Sequence, residues 1–351
     1  KPFQFYNQHR YSEIAISVSC KMNRRLLIVL TPVRNEAWVL KAFLKAASLW
    51  ADYIIIADQM STDGSREIYK QFDKVIVVDN MNPEMHQAHA RKLLFDEAAK
   101  IQGDKILFAL DADEFLSGNF DKTKEWHDIL NSKPGDCFYL FWHNILPDKK
   151  HYVIPMQEPY YWIHHVNNDL NGEFPDNYIH EWRLPWPDAD NYHDSYKCED
   201  LFFLHFGATN DKRQYNKECF YQVSTLLKEP RKSVVNLHRM YNRPKNRYLV
   251  HNLSKADFEF YKENGLDLIK EIDFSDIGQY YLDVVMEQMN AKGFVFFAKL
   301  DIWNSSFIKE HNIKDPRSFM MKLVHMYLRC TKKYSNTFVV RIVDKVLKKI
   351  V

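Results

Sequence analysis

Cysteine is sparse in this chain of 351 residues: five, at Cys20, Cys137, Cys198, Cys219 and Cys330, scattered, odd in number and without a Cys-x-x-Cys pair. That excludes a disulfide framework or a cysteine-based zinc site and points to a reducing compartment. No run of about 18 apolar residues exists to span a bilayer, and the N-terminal stretch has no signal-peptide hydrophobic region. The expectation is a cytoplasmic protein. The glycine signatures of common nucleotide sites are missing as well. No Gly-x-Gly-x-x-Gly follows the first strand pattern, which argues against a Rossmann dinucleotide site, and no Gly-x-x-x-x-Gly-Lys-Ser/Thr provides a P-loop. Repeats and low-complexity tracts are absent. With a net charge of only +2 and no recognition motif, nucleic acid is not an expected partner.

What is present is a folded chain, 46% hydrophobic and 15% aromatic, too apolar for a disordered one. Leu26–Leu30, Tyr53–Ile56, Val75–Val78 and Ile106–Leu110 read as buried parallel strands. Between them Val39, Phe43, Ala46 and Trp50 recur at helical spacing, and Glu84–Ile101 is long enough for a crossover helix. The alternation predicts an α/β fold, a mostly parallel sheet flanked by helices, with ligands beyond the carboxyl ends of the strands. Residues 137–207 turn aromatic and irregular, and after Lys212 the pattern is mainly helical. The expected organisation is an extension over 1–25, an α/β domain over 26–210 whose halves meet near 120, and a helical C-terminal region over 211–351.

Three polar clusters would gather at the strand ends: Thr31-Pro32-Val33-Arg34-Asn35-Glu36, Asp58-Gln59-Met60-Ser61-Thr62-Asp63-Gly64-Ser65 and Asp111-Ala112-Asp113-Glu114. Carboxylates fixed where a buried strand meets a loop offer hard oxygen ligands, so Asp111 and Asp113 suit Mg²⁺ or Mn²⁺ carrying substrate phosphates. The same tripeptide at Asp188-Ala189-Asp190 lies between Pro187 and Asn191 with no strand leading in, and reads as a surface turn.

In order, spacing and strand context, residues 26–120 resemble the nucleotide-sugar domain of inverting, family-2 type glycosyltransferases with the GT-A fold. The resemblance implies a GT-A type nucleotide-diphospho-sugar transferase fold with a helical C-terminal extension, in which 26–120 binds the nucleotide sugar and 121–210 the acceptor. It implies that Thr31, Pro32, Arg34 and Glu36 line the nucleoside pocket and that Asp58 accepts a hydrogen bond from the base. Arg91 would approach the nucleotide, although Lys92 stands where the family usually has Asn. Asp111, Ala112 and Asp113 would match the Asp-x-Asp element that holds a divalent cation on the diphosphate. His180-Glu181 and the late Phe203-Leu204-His205 resemble a subgroup in which a histidine is a third metal ligand. His205 takes that place, and imidazole suits Mn²⁺ somewhat better than Mg²⁺. Two carboxylates could deprotonate the acceptor hydroxyl, Glu181 and Asp200. The implied donor is a UDP-sugar by family frequency, and the implied acceptor a glycan or lipid-linked glycan. A sugar-1-phosphate nucleotidylyltransferase, which normally opens on Gly-x-Gly-Thr-Arg, and a non-catalytic nucleotide- or glycan-binding module are the alternatives.

Charge is unevenly spread. From Arg317 to Val351 nine basic residues face one acid, Asp344, so the tail carries +8 and the rest of the chain −6. At about 100° per residue, Phe338, Val339, Ile342, Val343, Val346, Leu347 and Ile350 cover one side of a helix. Arg341, Lys345, Lys348 and Lys349 form a wedge of roughly 100° on the other. Such a helix either packs its apolar side on the domain or lies on an anionic membrane surface, which would make the protein peripheral at the inner face of the membrane.

Overall fold

The computed structural model describes residues 25–83, 86–155, 161–166, 183–184, 195–242 and 249–351. The chain forms two compact units. One takes residues from 1–144, 155–206 and 253–273, the other 145–154, 207–252 and 274–351.

In the first unit the four predicted parallel strands are present: β1 (Leu26–Val33), β2 (Tyr53–Asp58), β3 (Val75–Asp79) and β4 (Lys105–Ala109). They lie in the order β4-β1-β2-β3, all parallel. Helices α1 (Ala37–Ser48), α2 (Ser65–Tyr69) and α3 (Gln87–Lys100) connect them. Alternate residues of a strand face opposite sides, and both sides are buried in β1, β2 and β4, whereas β3, expected to be buried, is an edge strand that exposes Val77. Ile28, Leu30, Ile55, Ala57, Leu107 and Ala109 face Leu94, Phe95 and Ala98 of α3, while Phe108 meets Trp50, just beyond α1, edge to face at 4.8 Å. Each such fully buried aliphatic or aromatic side chain contributes about 1.5–3 kcal/mol, and this two-sided burial is why β1, β2 and β4 read as continuous apolar runs.

β1 runs three residues past the Leu30 at which its apolar run stops. Its pairing with β4 ends at Leu30, whereas its pairing with β2 continues to Val33. Pro32, which has no N–H to give, therefore lies beyond the end of the β4 ladder. The aromatic region extends the sheet with β6 (Cys137–Tyr139) and the strands Tyr161–Val166 and Ser195–Lys197. Tyr161–Val166 runs antiparallel between β4 and β6, making the sheet mixed.

A smaller ladder belongs to the same unit. The strand Phe203–His205 pairs antiparallel with β5 (Glu114–Leu116) and parallel with β7 (Trp142–Ile145). Residues 253–273 close on it: Gly118 N–H donates to Asp257 O at 2.8 Å, and Tyr261 Oη donates to Leu116 O at 2.7 Å. A Cβ on Gly118 would stand 2.3 Å from Asp257 O, so only glycine permits this approach.

The second unit is mainly helical. Its helices include Asp211–Lys228, Val234–Tyr241, Gln279–Lys292, Phe319–Cys330 and Phe338–Ile350, with the short strands His151–Val153 and Val250–Asn252 paired antiparallel. Val234, Val235, Val324 and Leu328 form a core among three of these helices. No helix among the described residues is long and apolar enough to cross a membrane.

Candidate functional site

The turn after β1 and the turn after β2 are stitched together by short polar side chains. Asn35 sits at φ 57°, a left-handed conformation that asparagine tolerates better than most residues. Its N–H donates to Ser61 Oγ at 3.0 Å, and its Oδ1 accepts from Thr62 N–H at 2.7 Å. The second polar cluster serves the starts of two helices. Asp63 Oδ1 accepts from Ser65 N–H at 3.0 Å and Oδ2 from Ala37 N–H at 2.8 Å, at the starts of α2 and α1. Glu36 N–H donates to Ser65 Oγ at 3.2 Å, and Glu36 Oε2 accepts from Trp38 Nε1 at 2.6 Å. Pro32, Arg34 and Glu36 are half-buried, and Arg34 reaches Pro83 O at 3.3 Å.

Asp58 is the last residue of β2 and is buried. Its Oδ2 is engaged by Arg66 Nε at 2.9 Å and Ser61 N–H at 3.3 Å, while Oδ1 is buried without a hydrogen-bond partner. The same holds for two other residues singled out by the sequence. Among the described residues Thr31 Oγ1, on β1, and Arg91 Nη1, on α3, are buried without a partner. Buried polar groups are nearly always satisfied; these three atoms belong to a wider set among the described residues that also includes Ser48 Oγ and Ser117 Oγ, outside the strand-end clusters. An acceptor at Asp58 suits a base N–H, and a guanidinium donor at Arg91 suits a phosphate oxygen.

Asp111, two residues past β4, lies between two guanidinium groups. Arg91 Nη2 donates to its Oδ1 at 2.7 Å and Arg183 Nη2 to its Oδ2 at 2.8 Å. Arg183 also grips Glu114 with both terminal nitrogens, each at 2.8 Å. Glu114 further accepts from Asp111 N–H at 2.8 Å and Trp142 Nε1 at 2.7 Å. Burial lowers the Arg91 pKa against the pull of Asp111. It also works against the Arg183 charge, but Asp111 and Glu114 outweigh it and leave that pKa raised. For Glu114, burial pushes the carboxyl upward and Arg183 opposes.

Sequence reasoning missed Arg183 and Trp142 as parts of this centre. The partners of Arg183, Asp111 and Glu114, are 72 and 69 positions away in the chain. Its place two residues past a candidate base was the available signal. Ala112 is buried between the two acids.

Asp113 and His205 meet: His205 Nε2 lies 3.5 Å from Asp113 Oδ2. His205 Nδ1 contacts Asn144 Oδ1 at 2.6 Å, and its ring stacks on Trp142 with centroids 5.0 Å apart. With Nδ1 donating to the Asn144 carbonyl, the Nε2 lone pair faces Asp113, as second-shell partners orient ligating histidines. Two ligands each about 2.1 Å from a divalent cation are roughly 3 Å apart when at right angles, so a carboxylate and an imidazole at this separation fit one. Asp111 faces the arginines, and no three His, Cys, Asp or Glu side chains converge on a metal position among the described residues.

Of the two candidate bases, Glu181 lies outside the described residues, as do Asp188 and Asp190. Asp200 is exposed, and its N–H donates to Glu125 Oε1 at 3.0 Å. The β5 ladder pairs Glu114 with His205 at one end, and Ser117 N–H meets Phe202 O past the other. Asp200 precedes that second end, away from Asp113.

Residues 28–157 match the family described as glycosyl transferase family 2. No curated protein matches the chain. Among solved structures, glucosyl-3-phosphoglycerate synthase from Mycobacterium tuberculosis, in complex with Mn²⁺, UDP and glucosyl-3-phosphoglycerate, is 16% identical over 40% of this chain and 50% of its own, at a TM-score of 0.26. Mannose-1-phosphate geranyltransferase from Thermus thermophilus is 12% identical over 42% and 51%, at 0.27. The inositol-1-phosphate CTP transferase from T. maritima is 10% identical over 53% and 90%, at 0.31. The chain thus spans about half the length of the mycobacterial synthase. The family match and the strand topology agree on a GT-A type fold with a mixed sheet flanked by helices and a helical C-terminal extension, and support a glycosyltransferase-type function at the level of the family.

Proposed function

We propose that this protein transfers a sugar from a nucleoside diphosphate, UDP in the first instance, to a hydroxyl of a glycan or lipid-linked glycan, with inversion at the anomeric carbon. The observation that carries the proposal is the trio of buried, unpartnered polar atoms, Thr31 Oγ1 on β1, Asp58 Oδ1 at the end of β2 and Arg91 Nη1 on α3. Asp58 would accept from the base and Arg91 would donate to the diphosphate, with Asp111 orienting the guanidinium. Asp113 and His205 would hold Mn²⁺ or Mg²⁺, which, when bound, supplies charge neutralisation at the departing diphosphate. A carboxylate takes the acceptor proton as the acceptor oxygen bonds to the sugar and the bond to the diphosphate breaks. Glu181, two residues before Arg183 in the chain, is favoured for this over Asp200.

Calorimetric titration of UDP, GDP, CDP and dTDP, each with and without Mn²⁺, tests the binding half. One nucleotide should bind in a metal-dependent way, Asp113→Ala should erase the metal dependence, and Arg91→Ala should weaken binding about 10- to 100-fold, the worth of a hydrogen bond to a charged group. Wild-type protein that binds none of the four overturns the proposal. For turnover, Glu181→Gln should cut kcat by orders of magnitude with donor binding preserved. Normal release of nucleoside diphosphate by that variant, with loss on Asp200→Asn, moves the base to Asp200.

A further inference from the structure

The C-terminal helix Phe338–Ile350 divides into three sectors at about 100° per residue. One sector is docked. Val340 and Asp344 are buried, Leu347 and Val351 pack against the core around Val234, Val235, Val324 and Leu328, and Asp344 is held by Arg239 at 2.9 and 3.0 Å and by Tyr327 Oη at 3.1 Å. A second sector is apolar and open to solvent: Val339 is 69% exposed, Val346 53% and Ile350 69%, with Ile342 at its edge at 49%. The third is basic, with Arg341, Lys345, Lys348 and Lys349 all exposed and, among the described residues, in no ion pair. The helix therefore holds on by a flank of Val340, Leu347 and Val351 edged by Asp344 and leaves its most apolar side uncovered.

Two further features accompany it in the same unit. The preceding helix Phe319–Cys330 exposes Phe319 at 77%, Met320 at 60% and Met326 at 52%. Beside Lys348 lies a cleft of about 730 Å³ lined by Lys228, Arg231, Lys232, Ser233 and Asn236, in which the one acid, Glu229, is paired with Lys232 at 2.8 Å.

We infer that this helix is an interfacial membrane anchor: its open apolar sector enters the acyl boundary of an anionic phospholipid leaflet while Arg341, Lys345, Lys348, Lys349 and the neighbouring basic cleft receive the lipid headgroups. Charge complementarity selects that occupant, since an apolar stripe edged by cations matches a surface that is apolar beneath and negative on top. A second copy of the same face would set one basic sector against another. With Arg341, Asp344, Lys345, Lys348 and Lys349 on it the helix is too polar to lie across a bilayer core, so it lies along the surface. The anchor requires neither nucleotide nor metal, so its test is independent of the sugar-transfer proposal.

The test is co-sedimentation of the full chain with vesicles of phosphatidylcholine alone or with about one third phosphatidylglycerol. The protein should sediment with the anionic vesicles, be released by salt and bind neutral vesicles weakly. Ile342→Asp combined with Val346→Asp, and separately Lys345→Glu with Lys348→Glu and Lys349→Glu, should each reduce binding at least tenfold with the melting temperature of the wild type retained. Wild-type protein that stays in the supernatant with both vesicles overturns the inference. So does undiminished sedimentation of the folded Asp variant, or a wild-type dimer that these same substitutions dissociate.

Discussion

Arg183 is where the residue scale departs most from the sequence. Asp58, Asp111 and Asp113 could be placed near strand ends because the apolar runs before them stop abruptly, and a run of letters carries that information. The partners of Arg183 are set by long-range folding and leave no local trace. Its guanidinium stands between two carboxylates, and removing one member of a buried pair leaves the other charge without compensation, at a cost of about 3–5 kcal/mol. Arg183→Ala should therefore lower stability by about that amount near neutral pH, measured by denaturant unfolding. The sign of its pH dependence follows from Glu114. Burial already raises that carboxyl, and without Arg183 it rises further. A raised carboxyl favours the folded state while protonated and loses that contribution as pH rises through its folded pKa, so the deficit of the variant should shrink in mild acid. A deficit that does not change with pH would show that Glu114 finds another cation.

At the scale of elements, β1, β2 and β4 were legible because a strand buried on both faces announces itself by composition alone, whereas β3 shows the same apolar run at an open sheet edge. The antiparallel insertion of Tyr161–Val166 between β4 and β6 was not, since strand order comes from pairing rather than from local pattern. The C-terminal helix makes the same point. Its amphipathic pattern was plain, and packing the apolar side on the domain was one of two expected outcomes. The packed flank takes in Val340, Leu347 and Val351 together with Asp344, which by composition had counted only as the tail's one acid. A buried carboxylate bonded to Arg239 and Tyr327 fixes which way the helix faces. Asp344→Ala should release it: hydrogen exchange over 338–350 should speed up markedly while the four parallel strands stay protected. Uniform acceleration across the chain would mean that the helix is integral to global stability.

For the whole molecule, each unit contains buried histidines that folding holds neutral. Burial lowers His164 in the first unit and His325 in the second to about 4, from an ordinary 6.5. An unfolded chain then binds more protons than the folded one between those values, so stability should fall as pH drops from about 6.5 towards 4, by roughly 3 kcal/mol or less per histidine. In the second unit Asp301 extends the trend past its acid end. Burial pushes that carboxyl up, but the hydrogen bond from His238 and the charge of Arg329 help to outweigh it and hold the pKa low, so its contribution is lost only below the ordinary carboxylate range of about 4, as pH falls through that lowered value. Unfolding midpoints measured across this range should slope steeply for the wild type and less so for His164→Gln or His325→Gln. Equal slopes would assign the acid sensitivity elsewhere.

The three unpartnered atoms at Thr31, Asp58 and Arg91 have a consequence for the chain's history. Each leaves the empty fold weaker by about 1–3 kcal/mol than a satisfied or apolar group would, and a valine at 31 would fill the same volume without the penalty. Selection for heat resistance alone would therefore erode these positions first. If a ligand satisfies these atoms as proposed, ranking variants by melting temperature without it would discard the chains best suited to bind.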